Sequence, residues 1–137
     1  RLATIEAVRD GTIDIVSSMH TPQDEESKRL PFEEAASGAI GLETILTAML
    51  RLYHSNQLQM DQIFTAISLN PAKRLGISGG LLSHNEPADL VIFDADKPLI
   101  LERERLHSKV KNTPFDGQKL QGRVLKTYVQ GREVFSL

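Results

Sequence analysis

Leu2, Ile5 and Val8 fall three residues apart, the spacing of one helix face, and Gly11 follows as a stop. Residues 12–18, Thr-Ile-Asp-Ile-Val-Ser-Ser, are short and β-branched and predict a strand. The next stretch, 19–31, is a polar loop carrying Pro22, Gln23, Asp24, Glu25 and Glu26, long enough to mark a functional loop. Residues 32–55 carry the strongest helical signal. Leu42, Ile45, Leu46, Met49 and Tyr53 make one apolar stripe, while Gly38 and Gly41 delay the regular helix to about Gly41. A second helix is expected from Asp61 as N-cap, with Ile63, Phe64 and Ile67 turned inward. Asn70-Pro71 reads as a restart, with Asn as cap and Pro at the first helical position, ending at Gly76.

The pattern changes after this point. Gly79-Gly80 and Asn85-Glu86-Pro87 are turns, and 88–93 (Ala-Asp-Leu-Val-Ile-Phe) reads as a buried strand. Strands at 124–129 and 132–135 flank Gln130-Gly131, a two-residue hairpin turn. Residues 102–111 mix both charge signs and read as solvated surface. A helix, a strand and further helices make an α/β rhythm, so two parts are expected, α/β over 1–78 and β-rich over 79–137.

Composition narrows the class. Lys and Arg total 16 against 18 Asp and Glu, a formal charge of −2, which leaves no basic field for nucleic acid. No apolar run reaches the roughly 18 residues that span a bilayer, so no membrane partner is expected. Cysteine is absent, which excludes disulfides and thiolate metal sites. These features fit a cytoplasmic protein. The chain begins without Met, inside an amphipathic helix with no cap, so a larger preceding portion is expected.

In α/β sheets, chemistry sits at the C-terminal ends of strands and in the loops that follow. Here that position reads Ser17-Ser18-Met19-His20-Thr21-Pro22. His20 has no partner at ligand spacing and reads as structural rather than as a metal ligand. His54, His84 and His107 are scattered, with no HxH or HExxH pair among them. Ser37-Gly38-Ala39-Ile40-Gly41 offers backbone N–H groups before a helix, but lacks the Lys-Ser/Thr of a P-loop, and close backbone packing explains its glycines equally well. Glu33 and Glu34 are adjacent in sequence, which does not make an acid/base pair.

Six stretches together resemble dihydroorotase and its cyclic-amidohydrolase relatives. They are Val-Ser-Ser-Met-His-Thr-Pro-Gln-Asp (16–24), Gly-Ala-Ile-Gly-Leu-Glu-Thr (38–44) and Asn-Pro-Ala-Lys-Arg-Leu-Gly (70–76), followed by Pro-Ala-Asp-Leu-Val-Ile-Phe-Asp (87–94), Lys-Asn-Thr-Pro-Phe-Asp-Gly (111–117) and Gly-Arg-Val-Leu-Lys-Thr-Tyr-Val-Gln-Gly-Arg (122–132). The resemblance implies a (β/α)8 barrel holding one or two zinc ions, with a small β-sandwich domain built from both chain ends. Residues 1–78 would supply the last barrel strand and its flanking helices, and 79–137 the C-terminal half of the small domain. The implied reaction is the reversible cyclisation of carbamoyl aspartate to dihydroorotate, in pyrimidine biosynthesis. Most zinc ligands of the family lie on earlier strands, so no zinc is expected on this chain alone, and the chain alone is expected to be inactive.

One departure stands out. The family places at position 19 an Asp that binds metal and shuttles the proton; here it is Met19, whose thioether cannot take a proton at neutral pH. Gln23 stands where family members often carry a substrate-contacting His; it can hydrogen-bond but not act as a charged partner. Ser37 and Gly38 keep the place of the substrate-contacting backbone. Neither Asp14 nor Asp24 stands where the family Asp points. Two function classes follow: a dihydroorotase adapted to the loss, or an inactive homologue serving as a structural subunit for aspartate carbamoyltransferase. Stability is expected only together with the preceding portion, or through homo-oligomeric self-association that covers exposed faces.

Overall fold

The computed structural model describes all 137 residues. Helix α1 (Leu2–Arg9) leads into an extended segment and α2 (Glu25–Lys28), followed by α3 (Ile45–His54), α4 (Met60–Phe64) and α5 (Asn70–Leu75). Strands β1 (Leu90–Ile100), β2 (Lys119–Val129) and β3 (Arg132–Ser136) form one antiparallel sheet in the order β1-β2-β3. No helix is long and apolar enough to cross a membrane.

Residues 14–18 run without a bend, but Thr12 and Ile13 turn and the segment forms no ladder, which corrects the expected strand. A strand exists only where a neighbour offers its backbone. Here the neighbours are helices: the Ile13 amide donates to Ala7 O (2.8 Å), the Val16 amide to Ala66 O (3.0 Å), and Asn70 Nδ2 to Asp14 O (2.8 Å). An isolated parallel bridge outside the sheet joins His20 to Ala39.

The helical segment from 60 to 75 is continuous, and this corrects two expected caps. Gln59 rather than Asp61 opens α4, in a capping box with Gln62. Asn70 is no cap; its amide amine is spent on Asp14 O. Between α4 and α5 the chain widens into a π-turn over Thr65–Leu69, whose last bond runs from the Asn70 amide to Thr65 O. Pro71 follows at once. It has no N–H to give, so the wider turn accommodates it without breaking the helix. Gly76, at φ 66°, ends the run in the left-handed cap conformation.

The expected stripe of α3 is corrected at its start. Leu42 precedes the helix and is 64% exposed, whereas Leu50, off the stripe, is fully buried. One apolar cluster joins Ile5, Met49, Leu58 and Ile63, with Val8, Val16, Ile45 and Ile67 packed against it. Leu50 leaves that cluster and reaches the sheet, where Gly122 (φ 100°) makes room: a β-carbon at 122 would collide with the Leu50 side chain. Phe64 meets Phe93 of β1 with ring centroids 5.5 Å apart.

The hairpin forms as its turn residues predict, with Gln130 at φ 49° and Gly131 at φ 75°. β1 runs longer than expected and is not buried: Val91 and Ile92 are exposed. It passes through Pro98, which is possible because β1 is an edge strand. The register slips between Asp94 and Pro98, and the Asp94 carboxylate accepts the amides of Asp96 (3.0 Å) and Lys97 (3.1 Å) that the slip leaves unpaired. Of the stretch 102–111 expected to be solvated surface, residues 102–105 are exposed, whereas Leu106, Ser108, Val110 and Lys111 are half-buried.

Leu50 and Leu42 separate the observed packing from the sequence stripe. Leu50→Ala should lower unfolding free energy by about 2–5 kcal/mol and Leu42→Ala by under ~0.5 kcal/mol, read from urea titrations.

Candidate active site at the loop after the extended segment

Two backbone segments meet after residue 18. Met19 adopts φ 43°, a left-handed conformation that disfavours a long side chain, and its side chain is 76% exposed. Thr21 Oγ1 donates to Met19 O (2.9 Å) and closes the turn. The Thr21 amide then donates to Ala39 O (3.0 Å), setting 19–23 beside 37–41.

The glycines of the second segment are packing residues. A β-carbon on Gly41 would overlap the Ser18 carbonyl, and one on Gly38 (φ 115°) would lie 2.5 Å from Thr21 O. His20 fills the gap from the other side. Its Nδ1 accepts the amides of Gly41 (3.1 Å) and Leu42 (3.3 Å), which fixes the ring with its remaining hydrogen on Nε2. This is the structural role expected of His20.

Sequence reasoning missed Asn112. Its Oδ1 accepts the Gln23 amide (3.2 Å), its Nδ2 donates to Gly38 O (3.2 Å), and its backbone carbonyl accepts the Ile40 amide (2.9 Å). Gly38 O also receives Lys28 Nζ (3.1 Å), which in addition donates to Ala36 O (2.7 Å). Asp24 caps α2 by accepting the Ser27 amide (2.7 Å), and that bond holds its carboxyl below the usual range. Among the expected site residues, Gln23 and Gly38 are thus joined through Asn112. Met19 lies on the same loop with its side chain in solvent, and Ser37 is exposed at the start of the turn.

Glu43 was also missed. Its carboxylate accepts the His107 amide (2.8 Å) and the Ser108 amide (3.4 Å) and lies 2.8 Å from His107 Nδ1, tying the charged stretch to the start of α3. The signals for both lay in the Lys-Asn-Thr-Pro-Phe and Gly-Leu-Glu-Thr blocks, but no local pattern shows a contact spanning 64 to 89 residues. His54 donates Nε2–H to Ala95 O (3.0 Å).

The donor chemistry does not suit zinc on this chain. No group of three His, Cys, Asp or Glu converges; Met19 offers only a soft thioether, and His20 Nδ1 is occupied by amides.

This arrangement of an extended segment, a glycine-rich turn, helices and a three-stranded sheet is that of a known enzyme class: residues 1–134 match the amidohydrolase family, and the chain belongs to it. More narrowly, it is similar to the dihydroorotases of Wolbachia sp. subsp. Drosophila simulans (strain wRi), 39% identical over 99% of the chain, and Desulforapulum autotrophicum, 40% identical over 98%. It spans 31% and 32% of the lengths of those two relatives. Among solved structures it superposes on L-hydantoinase (dihydropyrimidinase) from Arthrobacter aurescens with TM-score 0.89 and 30% identity, covering 97% of the chain and 31% of the hydantoinase.

Gly41→Ala should part the two segments, because the methyl group meets backbone rather than a yielding side chain. The expected loss is about 1–3 kcal/mol in chemical denaturation, accompanied by faster exchange of the Thr21 amide.

Proposed function

We propose that the chain is the C-terminal part of a dihydroorotase-like amidohydrolase, which interconverts carbamoyl aspartate and dihydroorotate. The observation that carries this reading is the 39% identity to a dihydroorotase along 99% of the chain. In this reading residues 1–78 contribute the last strand of a (β/α)8 barrel with its flanking helices, and 79–137 contribute the C-terminal half of a small β-sandwich domain. The unbent backbone of 14–18, with the ties of Ile13 to α1 and of Asp14 to α5, supports the first assignment. The exposed apolar residues Val91 and Phe135, paired on either side of Thr127 and so on one face of the sheet, support the second, since a sandwich needs a face to cover. The zinc donors of the proposed enzyme lie outside these 137 residues.

Within the chain, binding and orientation fall to the 37–41 turn, whose backbone is fixed by Asn112, Thr21 and Lys28. Gln23 adds a neutral amide at the loop. No proton can be held at position 19, because a thioether has no basic site at neutral pH. The left-handed backbone of Met19 supports the view that an Asp belongs there, since Asp and Asn tolerate that conformation better than Met does.

Met19 equally favours a second reading, a homologue without turnover that serves as a structural subunit, with aspartate carbamoyltransferase as its partner. One assay separates the two: dihydroorotate hydrolysis by the intact protein in zinc, beside Met19→Asp. The enzyme reading with a lost proton carrier predicts that the variant is faster by roughly 10²–10⁴. Equal, substantial rates would overturn the role given to Met19. Absence of turnover in both, with co-elution of aspartate carbamoyltransferase in gel filtration, would establish the structural subunit instead.

A further inference from the structure

We infer that Asn112 is a positioning residue that sets the 37–41 turn for its ligand, an inference that rests on the dihydroorotase reading for the identity of that ligand. Asn112 joins two segments distant in sequence, and its side-chain amide meets opposite demands from each. The Gln23 amide needs an acceptor and receives Oδ1 at 3.2 Å; Gly38 O needs a donor and receives Nδ2 at 3.2 Å. The backbone carbonyl of the same residue takes the Ile40 amide at 2.9 Å. Gly38 O and Ile40 N–H are therefore both held by Asn112, while Ala39 O between them is held by the Thr21 amide at 3.0 Å.

The peptide groups of the turn are thus oriented from two sides before any ligand arrives, so binding does not have to order them. Asn112 is itself anchored on both flanks. Lys111 Nζ donates to Leu106 O (2.6 Å), and the Phe115 amide donates to Thr113 Oγ1 (3.3 Å).

The chemistry is specific to Asn. A carboxylate of the same shape accepts from Gln23 but sets an oxygen against Gly38 O, where two acceptors repel. A methyl group serves neither partner. Asn112→Asp should therefore keep one arm of the clamp, and Asn112→Ala should lose both.

The test is backbone amide exchange in the intact protein, together with the dissociation constant of dihydroorotate measured by equilibrium titration. In Asn112→Asp, exchange at Thr21 and Ile40 should rise about tenfold while Gln23 stays near native; in Asn112→Ala all three should rise. Asn112→Asp should bind dihydroorotate roughly three- to tenfold more weakly, as the loss of one hydrogen bond implies, and Asn112→Ala, which loses two, more weakly still. The Ala48 and Ile63 amides, inside helices, should not change. Native exchange at Thr21 and Ile40 in both variants would overturn the inference. So would loss of protection at Ala48 and Ile63 as well, since Asn112 would then serve general stability. Failure of the native protein to bind dihydroorotate counts against the dihydroorotase reading alone, because the exchange pattern decides the role of Asn112 separately.

Discussion

The backbone segments 18–21 and 38–41 lie closer together than two β-carbons would permit, and the candidate site is organised by that contact. Glycine at 38 and 41 makes the approach sterically possible. Proximity alone would leave buried amides without partners, a cost of about 1–3 kcal/mol each. His20 Nδ1 and Ala39 O meet that need on one side and Asn112 on the other. The loop that carries Met19 and Gln23 is therefore held by backbone hydrogen bonds and not by a hydrophobic core.

Position 19 sets a residue against the preference of its own backbone. The backbone there is left-handed, which suits Asp or Asn, yet the residue is Met with its side chain in solvent.

The parts of the structure legible in the sequence are those governed by local chemistry. The Gln130-Gly131 turn, the left-handed stop at Gly76 and the inward set Ile63, Phe64 and Ile67 follow from backbone preference and helical spacing. Residues 12–18 were not fully legible, because β-branched composition specifies extended backbone but a ladder needs a partner strand. Leu50 was missed because its burial depends on Gly122, distant in sequence. Asn112 and Glu43 were visible only as letters in recurring blocks. Their work consists of long-range hydrogen bonds to backbone amides, which no periodicity encodes.

The tautomer of His20 reports on the central contact with least ambiguity, because it depends on which ring nitrogen faces the Gly41 and Leu42 amides. Nitrogen-15 NMR of the imidazole in the intact protein distinguishes the two forms directly. The geometry predicts a neutral ring carrying its hydrogen on Nε2, with Nδ1 shifted as a hydrogen-bond acceptor. A ring carrying its hydrogen on Nδ1 could not accept those amides, and would contradict the close approach of the two segments on which the site depends.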